Sequence, residues 1–385
     1  MNTNSQNSSQ SRPYRVGIDA RLVYQTGVGV YIRNLLTYLS KMDTPNLEFH
    51  VYARPKDIVT IKDQLPDSKQ ISYIFHITQV PWHSFAEQII FLFQLLRDRL
   101  DLMHFPYFSW PILYYRPFVA TVHDTILLTQ STGKATTKAL WIYWLKNAVF
   151  RFVLAQQVAR SRHIIVPSTT VARELTHLFP RAKGKINVLY EGVDSSFENA
   201  KPTPIERLDG CEYFLYVGNC YPHKNVETLL QAFEKVIRKA PHIYLCLVGP
   251  QNSFSDRIRS WTFQNNLHRS VLLYHNLPPS QLKWLYTNAK ALVFPSKAEG
   301  FGLPIVEAAL CGCPLILSDI AVFHEVIGDQ ATYFELYDAQ GLSRTMRDAL
   351  STKERKEFVL NPLFSFEKMT ADTLHLYHQT LNISV

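Results

Sequence analysis

The 385-residue sequence has no uninterrupted apolar run of the about 18 residues needed to cross a bilayer. Its nearest approach, Ile89 to Leu96, contains Gln94 and ends at Arg97 and Asp98, which implies a soluble or peripheral protein. Cysteine is scarce. The five thiols (Cys211, Cys220, Cys246, Cys311 and Cys313) all fall in the second half, without a CxxC pair or a neighbouring histidine cluster. That spacing argues against structural zinc and favours buried thiols in a reducing compartment. No Asp-x-Asp triplet is present to hold a divalent cation at a strand end. The glycine-rich dinucleotide fingerprint is also missing, since Gly27-Val28-Gly29-Val30-Tyr31-Ile32 lacks its third glycine; a nicotinamide-dependent oxidoreductase is a poor reading. Residues 1–13 begin with Ser, Asn, Gln and Thr, lack both the apolar core and the cleavage site of a signal peptide, and are expected to form a disordered tail.

What is present suits two α/β units. A hydrophobic content of 46% in a chain of this length exceeds one ordinary core. Short apolar runs at Tyr14 to Ile18, Phe49 to Tyr52, Leu102 to Phe105, Phe118 to Val122 and His163 to Val166 alternate with helical periodicity, and the rhythm restarts after Gly210. There Tyr213 to Val217, Ile243 to Val248, Val271 to Tyr274, Ala291 to Phe294 and Pro314 to Leu317 read as buried strands. Strand alternating with helix predicts mostly parallel, doubly wound sheets. The expected division is residues 14–198, residues 199–363 and a C-terminal helix over residues 364–385 that returns to the first unit. Pro202 and Pro204 mark the join. Ligands of open parallel sheets bind at the carboxyl ends of the strands, so the chemistry is sought in those loops.

The most specific constellation follows Phe294: Pro295-Ser296-Lys297-Ala298-Glu299-Gly300-Phe301-Gly302-Leu303-Pro304-Ile305-Val306-Glu307. Two glutamates bracket a glycine-bearing turn that opens a helix. The glycines let the backbone approach a ligand closely, and the helix start offers amides to an anion. Glu307 is then placed to accept hydrogen bonds from a ribose diol, and Glu299 to meet a sugar. Either glutamate alone would equally suit a solvated loop acid or a carboxylate at a helix N-terminus. Lys224 follows the loop Gly218 to His223 at the start of another helix, where an ammonium could neutralise a diphosphate; a plain surface lysine is the alternative.

The spacing from Glu299 to Glu307 with Gly-Phe-Gly-Leu-Pro between resembles the signature of family 4 retaining glycosyltransferases of GT-B architecture. Gly17-Ile18-Asp19 with Gly27-Val28-Gly29 is similar to the family's first strand and glycine loop, Val122-His123-Asp124 to its His-Asp site, and Tyr190-Glu191-Gly192-Val193-Asp194 to its interdomain segment. The stretches Phe214 to Asn225, His324 to Tyr333 and Phe364 to Leu381 are family-like as well. The resemblance implies two facing Rossmann-like domains with a cleft between them and a C-terminal crossover helix. It implies His123, Glu299 and Lys224 as catalytic residues, and Gly29, Gly218, Asn219, His223, Lys224, Phe301, Gly302, Leu303 and Glu307 as donor-binding. No metal and no cofactor are expected, because the nucleotide sugar is a substrate. In one respect the sequence departs from the pattern: relatives place an arginine shortly after the strand glycine, where Asn219 stands here. Arg33 or Lys297 could supply the missing charge.

Retention would need no protein nucleophile, since the departing phosphate can take the acceptor's proton while the hydroxyl attacks the same face. The implied reaction moves a hexose, mannose from GDP-mannose first, with UDP-glucose or UDP-GlcNAc as alternatives. The acceptor is expected to be a saccharide or lipid-linked saccharide of surface polysaccharide or glycolipid synthesis. A nucleotide-sugar epimerase leaves the paired glutamates unexplained, and a sugar-nucleotide-binding scaffold is the non-enzymatic alternative. The net charge of +8 favours anionic partners, but the basic residues are scattered without a nucleic-acid motif, so no nucleic acid is expected. Lys138, Trp141, Tyr143, Trp144, Lys146, Phe150 and Arg151, with the aromatic stretch Phe105 to Tyr115, suit either core helices or a surface against anionic lipid. The expected location is the cytoplasm, with peripheral contact at the inner face of the membrane.

Overall fold

Runs rich in β-branched and aromatic residues build two separate parallel sheets. The computed structural model describes residues 12–65, 73–129, 140–351, 355 and 357–383. In the first sheet the strands are β1 (Tyr14–Asp19), β2 (Leu47–Ala53), β3 (Tyr73–Ile77), β4 (Leu102–Phe105), β5 (Phe118–Thr121), β6 (His163–Val166) and β7 (Ile186–Val188), ordered β3-β2-β1-β4-β5-β6-β7. The second holds β8 (Tyr213–Val217), β9 (Tyr244–Val248), β10 (Val271–Tyr274), β11 (Ala291–Phe294), β12 (Leu315–Ser318) and β13 (Thr332–Phe334), ordered β10-β9-β8-β11-β12-β13. Every pairing is parallel. In each half the strand order reverses beside the first strand, between β1 and β4 and between β8 and β11. The GT-B expectation of two doubly wound halves therefore holds.

The crossover helix Phe366–Leu381 belongs to the second half in sequence and to the first in packing. Phe366, Met369, Leu376 and Tyr377 are buried in the same apolar cluster as Val16, Ile18, Leu35 and Leu39. The Tyr377 hydroxyl sits 2.6 Å from His104 Nδ1 on β4, and the other nitrogen of His104 meets Thr121 Oγ1 at 2.8 Å. Burial pushes His104 down to about 3, so this ring is neutral and serves as a polar rivet.

Residues 1–11 of the expected tail lie outside the described residues. Arg12 is not loose, because its guanidinium pairs with both oxygens of Asp101 at 2.8 and 2.9 Å. Among the described residues no helix is long and apolar enough to cross a membrane.

Of the two readings open for the aromatic stretch Phe105 to Tyr115, core is the one that applies to most of it: Phe105, Phe108, Trp110 and Tyr114 are buried, and Leu113 and Tyr115 stand out at about 70% exposure. Lys138 and the side chains of residues 140–146 lie outside the described residues. The exposed apolar groups come instead from Phe85, Ile89, Ile90 and Phe93, with Val149 and Phe152 on the helix Leu140–Arg160. Hydrogen bonds knit these segments together. Gln88 bonds the Trp110 carbonyl and the Ile112 amide, and Trp110 Nε1 donates to the Val153 carbonyl at 3.2 Å.

Candidate active site

Both reversal points open toward each other. Gly300, in the loop after β11, is packed so tightly against the loop after β5 that a Cβ there would fall 1.8 Å from the His123 carbonyl oxygen. Only glycine permits that approach. Ser168, after β6, donates its hydroxyl to the Gly300 carbonyl at 2.7 Å. The two halves thus meet at the loops in which the sequence places its chemistry.

Lys224 and Glu299, distant in sequence, form an ion pair at 2.5 Å between side chains only 13% and 9% exposed. The same Glu299 oxygen accepts the Ser296 hydroxyl at 2.6 Å, and the ammonium lies 5.5 Å from the centre of the Phe294 ring. Lysine and glutamate are rarely this buried unless paired, and removing one would strand the other's charge. Beside them His223 is pushed down to about 4 by burial and by the like charges of Lys224 and Lys297, with Glu299 opposing. It is a neutral imidazole at physiological pH. The backbone amide of Lys297 donates to the His223 carbonyl at 2.7 Å, joining the loops after β8 and β11. Gly218 ends β8, and Asn219 is locked into its turn: its carbonyl accepts the Tyr216 hydroxyl at 2.5 Å and its side chain accepts the Tyr221 amide at 3.2 Å.

The helix Leu303–Leu310 begins at Gly302, whose φ of 100° suits glycine, and no side chain caps its free amides. Glu307, within that helix, accepts the Tyr286 hydroxyl at 2.9 Å. Burial pushes its carboxyl up to about 7; the Tyr286 hydrogen bond works against that and Asp194 adds to it. Phe301 is not arranged as a ligand-facing side chain. It is 3% exposed and packs against Phe364 and Tyr190, so only its backbone is free to serve a donor. Leu303 likewise packs against the cores of both halves.

The resemblance leaves His123 to meet the sugar through its side chain or its backbone carbonyl, and the ring is the part committed elsewhere. Its ring is buried, with Nδ1 3.2 Å from Glu191 and Nε2 3.0 Å from the Pro106 carbonyl. Both nitrogens are engaged within the protein, leaving the backbone carbonyl, beside Gly300, as the part that faces the cleft. Gly29 differs from expectation. Its amide donates to the Gln25 carbonyl inside the helix Thr26–Leu39, so the free amides of this helix start belong to the residues just before it. Of the two cations proposed to replace an arginine, Lys297 is near enough to shift His223, whereas Arg33 donates to the Val23 carbonyl at 2.7 Å.

Sequence reasoning missed the clamp beside this site. Glu325, on the helix Ala321–Ile327, accepts the amides of Thr169 and Thr170 at 2.6 and 2.9 Å, the Thr170 hydroxyl at 2.7 Å and the Tyr190 hydroxyl at 3.1 Å. A carboxylate of the second half thereby caps a helix of the first. Glu325 falls in the family-like stretch His324 to Tyr333, but an acid in a short helix is too common for that to reveal its partners.

Residues 25–197 match the family described as Glycosyltransferase Family 4, and residues 200–359 match Glycosyl transferases group 1. The chain is 31% identical to the O-antigen chain mannosyltransferase RfbU of Salmonella typhimurium over 57% of its length and 60% of that protein. It is 28% identical to O-antigen chain mannosyltransferase B of Escherichia coli over 43% of its length and 45% of that protein. Glycogen synthase of Mycobacterium tuberculosis aligns at 28% identity over 61% of each chain. These alignments span between about half and three fifths of the relatives' own length. In three dimensions it is similar to sucrose-phosphate synthase from Thermosynechococcus elongatus, with a TM-score of 0.74 at 18% identity over 96% of this chain and 100% of that one. It is also similar to WaaG, a glycosyltransferase involved in lipopolysaccharide biosynthesis, with a TM-score of 0.66 at 15% identity over 95% and 98%. With two family matches that together run from residue 25 to 359, and two facing parallel-sheet halves, the chain belongs to the family 4 glycosyltransferases of GT-B fold.

Proposed function

We propose that this protein is a retaining hexosyltransferase that takes mannose from GDP-mannose and passes it to a saccharide or lipid-linked saccharide in surface polysaccharide or glycolipid synthesis. The observation that carries the reading is the Lys224–Glu299 pair, buried between the halves and flanked by neutral His223 and the glycine-capped helix start. In this arrangement the diphosphate takes Lys224 from its partner and lies against the free amides at Gly302 and Leu303. Glu299, released, accepts hydrogen bonds from the hexose. Glu307 accepts them from the ribose once its own proton has left.

The leaving phosphate oxygen receives the acceptor's proton on the face from which it departs, so the protein contributes position and charge and no nucleophile. The reading gives a metal no part, because Lys224 and the amides already supply positive charge where the leaving group gains negative charge. Mannose is favoured by the O-antigen mannosyltransferase relatives. A UDP-sugar reading is favoured by a different likeness, a solved structure with UDP and glucose bound, at a TM-score of 0.66 and 14% identity.

The acceptor reading draws support from the exposed apolar face around Phe85, Phe93, Leu113 and Phe152. From Thr125 to Arg173 the sequence has no aspartate or glutamate, while Lys146, Arg151, Arg160 and Arg162 fall in that interval. An apolar surface in a half whose sequence carries this excess of positive charge suits an anionic bilayer holding a lipid-linked acceptor.

Thermal stabilisation by GDP-mannose, UDP-glucose, UDP-GlcNAc and the free diphosphates selects the donor, with Lys224→Ala as control. A shift for one donor that is lost in the variant, with sugar transfer from that donor, supports the reading. Full activity lost to EDTA and restored by magnesium contradicts the metal-free part. Donor binding without transfer or hydrolysis leaves the scaffold alternative standing in its place.

A further inference from the structure

At the carboxyl end of β1 lies a buried charge cluster for which the donor site has no use. Arg21, only 1% exposed, grips Asp19 with two nitrogens at 2.8 and 2.6 Å and reaches Glu87 at 2.6 Å. Its guanidinium stacks 4.0 Å from the centre of the Phe91 ring. The Ser109 hydroxyl donates to the same Glu87 oxygen, and Ser109 Oγ accepts the backbone amide of His83 at 3.1 Å. A buried ion cluster of this kind contributes little net stability compared with apolar packing, so its presence calls for a geometric reason.

Two further features single out the same spot. The helix over residues 87–97 opens with a π-helical turn at Glu87–Phe91, a winding that gathers at functional sites. His83, at the end of the network, has a φ of 53°, a left-handed backbone that in an L-residue costs on the order of 1–2 kcal/mol. The residue is exposed on one side, while its ring lies against aromatic neighbours, meeting Tyr107 edge-on at 5.6 Å and Phe150 at 6.4 Å. Tyr107 faces the cleft, where Asp124 of its own half and Tyr221 of the opposite half add to the upward push that burial gives its phenol. His83 and Tyr107 stand on the loops after β3 and β4, close to the reversal point between β1 and β4.

We propose that the Asp19–Arg21–Glu87–Ser109 network is a positioning device that presents His83 to a hydroxyl of the acceptor saccharide, with the Tyr107 ring as the adjoining stacking surface. The assignment rests on the glycosyltransferase reading and extends it to the acceptor. His83 touches the substrate, whereas Arg21, Glu87 and Ser109 act through it. The surrounding protein and the charge of Arg21 hold His83 below its ordinary range, so a neutral nitrogen is available to accept a sugar hydroxyl.

The test uses octyl α-glycosides of mannose, glucose, galactose and N-acetylglucosamine as acceptor probes. Their binding is followed by saturation-transfer NMR with nucleoside diphosphate present, and transfer to them is measured beside hydrolysis of the donor by water. His83→Asn keeps a residue that tolerates left-handed backbone, and Ser109→Ala removes the hydroxyl that holds the loop. The expected result is a rise of about tenfold or more in acceptor KM for His83→Asn and about threefold for Ser109→Ala, with donor hydrolysis and the nucleotide-induced thermal shift unchanged. Unchanged acceptor KM and NMR contacts in His83→Asn overturn the proposal, as does wild-type protein that binds none of the probes. Hydrolysis falling together with transfer overturns it too, because the loop then serves the donor. Wild-type protein without transfer or hydrolysis from any donor is a separate result, one that removes the glycosyltransferase reading and this proposal with it.

Discussion

On the proposed reading, Lys224 and Glu299 are where a single substitution tests the chemistry most directly, at some cost in stability from the partner charge left unpaired. Lys224→Ala removes the ammonium opposite the leaving diphosphate and should lower kcat by about 10²- to 10³-fold, the scale of losing one preorganised charge at a developing anion. Glu299→Gln keeps the shape and the Ser296 contact and should also lose most turnover while circular dichroism stays native. Near wild-type rates in either would remove that residue from the mechanism. Glu307 gives a pH signature. Its folded pKa of about 7 exceeds the ordinary 4.5, so the folded state binds more protons than the unfolded one across that interval. Stability of the free protein therefore falls as pH rises from about 4.5 to 7 and levels off above, by the sign of the linkage relation. Nucleotide affinity should rise through the same window as the carboxylate forms. Thermal melts from pH 5 to 8.5, with and without nucleotide, read both slopes, and Glu307→Gln should flatten both. Much of this was legible in sequence because Glu299, Gly300, Gly302 and Glu307 sit in one continuous motif. The ring of His123 was not, since its two partners, Glu191 and the Pro106 carbonyl, are brought to it only by the fold.

Among elements, the central strands were legible and three of the four edge strands were not. β4, β6, β8 and β11 coincide with apolar runs because both faces of each are covered, so hydrophobicity alone marks them, and the edge strand β10 is legible because all four of its residues are apolar or aromatic. β3, β7 and β13 are sheet edges, and their burial is partial: Tyr73–Ile77 carries no fully buried residue, and Ile186–Val188 is half-buried throughout. An edge strand has one hydrogen-bonding neighbour and less apolar demand, which weakens its pattern. Apart from the return of the C-terminal helix to the first half, contacts between elements were hidden, and Glu325 is the example with a consequence. Its hydrogen bonds from Thr169 and Thr170 hold it below the ordinary carboxylate range against the opposing effect of burial, so the clamp persists at all pH values above 4.5. Glu325→Ala should remove a helix cap, lower stability by about 1 kcal/mol and loosen the cleft. Small-angle scattering should then show a larger radius of gyration in the variant, regained in part when nucleotide is added. An unchanged radius would mean that Gly300 and the crossover helix alone hold the halves together.

For the whole molecule, the cleft and the exposed apolar face of the first half bear together on where the protein works. The cleft is lined by strand ends of both halves, and the apolar face of the first half is built on the segments that follow β3 and β4, the same strands whose loops carry His83 and Tyr107. A lipid-linked acceptor could then rest its chain in the bilayer while its sugar reaches the cleft. Phe85 and Phe93 are 80% and 67% exposed, so replacing both with serine should leave the fold intact. If the face docks on anionic lipid, the protein should co-sediment with vesicles containing phosphatidylglycerol and much less with pure phosphatidylcholine. High salt should weaken binding by screening the positive charge of the first half, and Phe85→Ser/Phe93→Ser should weaken it about tenfold or more through lost apolar insertion. Transfer to a short water-soluble acceptor should be unaffected in that variant, because the substitutions lie outside the cleft. Equal binding by wild type and variant would show that charge alone holds the protein at the surface, and equal partition into neutral and anionic vesicles would show that charge plays no part.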